Sequence, residues 1–141
     1  MKNIFVLPAI AALFSCFYLQ ASEAEHYDVK SYETLEVAAF NDNLIERSSR
    51  HQSVVALSLE FLSYPDARFM SIKKQDNSGE NPTEASVTII LDGLMDDSVR
   101  GLFYQLNFIK HHQQWRLDEA KQAYLCGRMN SPKEFSKELC P

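Results

Sequence analysis

Cysteine is scarce in this chain: three residues, at positions 16, 126 and 140. None stands in a C-x-x-C pair, so the spacing offers no thioredoxin-type redox motif and no half of a zinc ribbon. Glycine is nearly as rare, at four residues. None of the four builds a G-x-S-x-G nucleophile elbow or a phosphate-cradling loop. Positive charge is also in deficit, with 14 Lys and Arg against 19 Asp and Glu for a net charge of −5. Lys73-Lys74 is the only adjacent basic pair, so the basic footprint that nucleic acid or an anionic membrane requires is missing. The histidines at 26, 51, 111 and 112 are scattered rather than clustered. No internal repeat, heptad pattern or low-complexity tract interrupts the chain.

One long apolar run exists, from Ile4 to Leu19, and it sits at the start behind the single cation Lys2. A positive n-region, an apolar h-region and small residues after it make a secretory signal. Ser22-Glu23-Ala24 fits the small-x-small cleavage rule, which predicts residues 1–24 as a signal peptide and residues 25–141 as one domain. The run is shorter than the roughly 20 residues a membrane span requires, so no transmembrane span is expected. Leu13-Phe14-Ser15-Cys16 has the form of a bacterial lipobox. Lipidation at Cys16 is therefore an alternative that would anchor the protein to a membrane without spanning it. Either route places the chain in the periplasm or outside the cell.

Cleavage leaves Cys126 and Cys140, an even count in a small exported chain and the usual sign of a structural disulfide. Closing a loop of about 15 residues is worth roughly 3 kcal/mol by the chain-entropy argument. Zinc would need two further ligands, and His111 and His112, adjacent on a strand, point to opposite faces. Between the cysteines, Ser131 and Pro132 can start a short helix through Leu139 with Phe135 and Leu139 on one side. Two turns are unstable alone, so the disulfide would staple it.

The remainder reads as α+β. The segment from Tyr32 to Ile45 is predicted as a helical opening, and Ser53 to Leu62 as a second helix capped by Ser53 and ended at Tyr64-Pro65. Arg68 to Lys73 alternates like an edge strand guarded by its lysines. Gln75 to Pro82 has turn composition. Ala85 to Leu91 is rich in β-branched residues, and Ser98 to Lys110 puts Leu102, Tyr104, Leu106 and Phe108 on one face. After the turn at His111-His112, Trp115, Leu117, Ala123 and Leu125 fall in phase on a last strand. The prediction is N-terminal helices packed on a curved, cone-like antiparallel sheet of three to four strands.

The stretch Asp96-Asp97-Ser98-Val99-Arg100-Gly101, an aromatic strand, Trp115-Arg116-Leu117, Cys126 and the closing Phe135-Ser136 and Leu139-Cys140 resembles small exported bacterial proteins. In those, a D-S-V-R strand pair leads into C-x-x-G-R-G-H, F-S and a final cysteine. The resemblance covers roughly residues 85–141. It implies a cone-shaped fold like that of cystatins and of the nuclear-transport-factor/ketosteroid-isomerase superfamily, and a paired final disulfide. Gly127-Arg128-Met129-Asn130 stands in place of Gly-Arg-Gly-His, so any role of that histidine is absent. A fold of this kind hosts enzymes, binding modules and inert scaffolds alike.

Asp92, Asp96 and Asp97 with Arg100 form the densest charge group. Near a pocket they would act as acid and base; in a strand connection they would serve the turn, with Arg100 paired to one of them. Tyr104 and Trp115 are the aromatic candidates for a pocket wall. The expected function is a non-catalytic exported domain that binds a protein or small ligand, with no cofactor or metal. Two alternatives stand beside it: an isomerase-like enzyme using Asp96 or Asp97 with Tyr104, and an envelope inhibitor or immunity-type protein whose acidity suits a basic target.

Overall fold

The computed structural model describes residues 27–46, 53–127 and 134–141. The expected signal peptide with its expected cleavage point, Cys16, His26, His51 and the start of the expected tail helix lie outside them.

Alternation builds the sheet. Along Glu84–Asp92 (β4), Ala85, Val87, Ile89 and Leu91 are buried. Along Val99–His111 (β5), Tyr104, Leu106 and Phe108 are buried on the same side. β5 pairs antiparallel with β4 and with Gln114–Cys126 (β6). Phe69–Asp76 (β3) pairs with β4 and Glu33–Leu35 (β2) with β6, giving a five-stranded antiparallel sheet in the order β2-β6-β5-β4-β3. His112 and Gln113 close the β5–β6 hairpin with φ of 46° and 68°, the left-handed pair that a two-residue turn of matching twist requires.

Two helices, Ala38–Glu46 (α1) and Val54–Phe61 (α2), cover one face. Ser53 caps α2 by accepting from the Ala56 N–H at 3.2 Å. The buried Ser58 hydroxyl donates to the Val54 carbonyl at 2.6 Å, which leaves it no unmet bond in the core. Phe40 and Phe61 meet edge to face, 5.2 Å apart, and join the helices.

The other face is covered by the two ends of the described chain. Asp28–Val29 (β1) and Glu134–Phe135 (β7) form a parallel pair. Phe135 is fully buried against Phe103, Ala123 and Leu125, with Tyr27, Val29 and Ile90 around them. Ser136 exchanges backbone bonds with Tyr124. A disulfide joins Cys126 to Cys140, with Cα atoms 5.3 Å apart.

Four expectations change. The sheet has five strands rather than three or four. The opening segment is split between the short strand β2 and helix α1. Among the described residues the tail forms β7 and a bridge at Ser136, and the predicted C-terminal helix is absent there. A helix of two turns is marginal, and burying Phe135 beneath the sheet while pairing with β1 outweighs it. Lastly, Trp115 and Leu117 face the helices whereas Ala123 and Leu125 face the tail. The register between Asn107 opposite Glu119 and Phe108 opposite Leu117 skips Asp118. One extra residue reverses the faces of everything after it.

Candidate functional site

Arg100 is likewise an extra residue: Val99 pairs with Cys126 and Gly101 with Leu125, so it bulges out of β5. The bulge aims its guanidinium at Asp92, Nε to Oδ1 at 3.1 Å and Nη2 to Oδ2 at 3.3 Å, a two-pronged pairing. Asp92 also accepts from the Gly93 N–H at 2.7 Å and from the Tyr27 hydroxyl at 3.4 Å. Gly101 must be glycine, because a Cβ there would stand 2.7 Å from the Leu91 carbonyl oxygen. Asp96 accepts from the backbone N–H groups of Ser98 and Val99 at 2.8 and 2.6 Å, and Asp97 is exposed beside it. Asp92, Asp96 and Arg100 thus hold the β4–β5 connection in shape, the turn role weighed for them above.

Tyr104 lies in the core beneath the helices, 8 % exposed. Burial, with Tyr124 adding to it, pushes its hydroxyl above the ordinary tyrosine value. It stands five residues into β5, about 16 Å along the strand from its start at ~3.3 Å per residue, while Asp96 and Asp97 precede that start. Trp115 carries the Lys110 ammonium 4.9 Å from its ring centroid. Together with Asn41, Leu44 and Arg116 it borders a hollow of about 20 Å³, too small for more than water. The five sequence candidates are therefore spread over a turn, a core and a surface.

The structure assembles two hollows that the sequence did not reveal. One, of about 470 Å³, lies between the tail and β6, lined by Lys30, Tyr124, Leu125, Glu134, Lys137 and Leu139. Tyr124 donates to Glu33 Oε2 at 3.1 Å; burial first, then the Glu33 carboxylate, raise its pKa. The other, of about 490 Å³, has mixed walls, with Asn77, Glu84, Asn107 and Asp118 beside Phe108 and Ile109. None of Asp96, Asp97, Arg100 and Tyr104 lines either hollow. Both draw on residues far apart in the chain, and no spacing rule reports such a meeting.

The third feature is β3. Among the described residues it is the last strand on its side of the sheet, and all eight of its residues are exposed. Met70 and Ile72 sit opposite Leu91 and Ile89, so they extend the helix-side apolar face. They remain 40 % and 38 % exposed, whereas their partners are fully buried. On the opposite face Phe69 is 62 % exposed under the Arg68 guanidinium, 5.4 Å from the ring centroid. A row of open backbone groups carrying bare apolar side chains is an invitation to another chain.

No family model, curated protein or solved structure matches this chain. Among the described residues, no group of three His, Cys, Asp or Glu is placed to hold a metal ion, and no helix is long and apolar enough to cross a membrane.

Proposed function

We propose that this is an exported, non-catalytic binding domain that docks a partner protein along the open side of its sheet, at β3. The observation that carries this reading is the edge itself: a strand exposed along its whole length, with Phe69, Met70 and Ile72 uncovered while Leu91 and Ile89 of the neighbouring strand are fully buried. Export rests on the signal-like start of the sequence and on the Cys126–Cys140 disulfide, a bond that persists in oxidising compartments. Cleavage after Ala24 releases the domain to the periplasm or beyond; acylation at Cys16 would instead tether it there. A cone-like curvature of the sheet around the helices, as in cystatins and the nuclear-transport-factor superfamily, suits such a role, with the concave side filled by helices and the rim left for contacts. A second reading, binding of a small ligand, is favoured by the hollow of about 470 Å³ beside the disulfide, a size typical of ligand sites.

Site-specific photo-crosslinking in the producing cell tests docking at β3. A photoreactive residue at Phe69 or Ser71 is expected to give a discrete heavier adduct, and the same group at the exposed Asp118 none. Absence of adducts from β3, or the same adducts from Asp118, overturns the reading.

A further inference from the structure

The partner's chemistry follows from the edge strand, and the inference rests on the docking reading just given. β3 pairs with β4 without a break from Phe69 to Asp76. In an antiparallel ladder alternate residues then turn their N–H and C=O groups outward. The side chains divide this edge in two. Phe69 to Ile72 is apolar apart from Ser71, and Lys73 to Asp76 is polar and charged. Lys74 stands opposite the buried Val87, in line with Met70 and Ile72 on the helix side, and Lys73 stands opposite Thr88 on the other face. Lys74 is bonded to Asp76 at 2.6 Å.

A lysine on the inward side of an edge strand is a guard against indiscriminate pairing, because any strand laid over it must desolvate the charge. The guard selects as well as repels. From Arg68 to Asp76 the chain carries Arg68, Lys73 and Lys74 against one acid, a local excess of positive charge in a protein of net charge −5. A second copy of β3, paired antiparallel about a two-fold axis, keeps like faces opposite, so the near-centred registers set Lys73 opposite its own copy or lay Lys74 against Met70. Like charges facing one another across strands destabilise the pair. A strand bringing acids to Lys73 and Lys74 meets no such cost and covers Met70 and Ile72 as well.

We propose that β3 accepts, by antiparallel strand addition, an extended segment of another protein in which two adjacent acidic residues are followed by apolar residues at the first and third positions after them. The acids face Lys74 and Lys73; the apolar residues fall opposite Ile72 and Met70. The backbone supplies affinity and the side-chain order supplies selection.

Three fluorescein-labelled ten-residue peptides, identical except for Glu-Glu, Gln-Gln or Lys-Lys at the paired position, test this against the oxidised exported protein. Fluorescence anisotropy is expected to show the Glu-Glu peptide binding roughly tenfold tighter than the Gln-Gln peptide, with affinity falling as salt screens the pairs. Hydrogen exchange should slow along Phe69–Asp76 in the complex. In the K73E/K74E variant the preference should switch to the Lys-Lys peptide, which also shows that the variant is folded. Equal binding of all three peptides overturns the acidic selection and leaves docking at β3 standing. So does binding of none of them when Phe69 still crosslinks in the cell. Slowing of exchange at β3 with protein concentration alone, without peptide, makes a second copy the occupant and overturns the inference.

Discussion

The side-chain amide of Asn41 makes both backbone bonds of Leu117: Nδ2 donates to the carbonyl at 2.8 Å, and Oδ1 accepts from the N–H at 3.0 Å. β2 pairs with β6 only from Ala120 to Gln122, so among the described residues the β6 edge at Leu117 has no strand beside it. An amide on α1 takes the place of one. Asn41→Ala strands two half-buried backbone groups and should lose about 1–3 kcal/mol of stability. Asn41→Asp keeps the acceptor but presses a carboxylate against the carbonyl, and should lose at least as much. Urea unfolding measures both; an unchanged midpoint in either would mean that water replaces the amide.

The Cys126–Cys140 bond closes the tail over the sheet. Replacing both cysteines with alanine should lower stability by about 3 kcal/mol, the closure entropy of a loop this long. The tail should also become the first region to exchange its amide hydrogens. Equal melting of the oxidised and double-alanine proteins would contradict this.

Alkaline pH should weaken the fold through Tyr104. Burial holds its hydroxyl above the ordinary value, with Tyr124 contributing. Below a pH of about 10, the ordinary tyrosine value, folded and unfolded chains both keep the proton and stability is undiminished. Above it the unfolded chain releases the proton while the folded chain retains it. The folded state then binds more protons and stability falls as pH rises. Tyr104→Phe should flatten that fall, as read from unfolding free energies between roughly pH 8 and 12. An identical slope in the variant would place the effect elsewhere.

The hairpin at His112 and Gln113 has room for improvement. Both residues occupy left-handed backbone, φ 46° and 68°, which costs an ordinary side chain about 1–2 kcal/mol. Asn followed by Gly suits that turn best. H112N/Q113G should raise stability by about 1 kcal/mol, seen as a higher thermal midpoint without change in the spectrum of the fold.

Local signals told most about the central strands and α2. β-branched residues marked β4, alternation marked β5, and Ser53 with Tyr64-Pro65 bounded the helix. What escaped was decided at long range. Phe135 reads equally well on a short helix or a strand, and only the uncovered face made by Phe103, Ala123 and Leu125 decides the matter. The bulge at Asp118 carries no mark in its own sequence, since its cause is the register with β5. The hollow beside the disulfide draws on Lys30 and Lys137 from opposite ends of the described chain. The β3 edge was half legible: alternation and the lysines announced an edge strand, whereas the exposure of Met70 and Ile72 depends on how far the helices reach.

The pairing of β1 with β7 sets an order of events. The Ser31 hydroxyl accepts from the Lys137 N–H across 106 positions, so this layer waits until nearly the whole domain has been synthesised. A product truncated before residue 135 would display the naked faces of Phe103, Ala123 and Leu125, the kind of surface that proteases and chaperones seize.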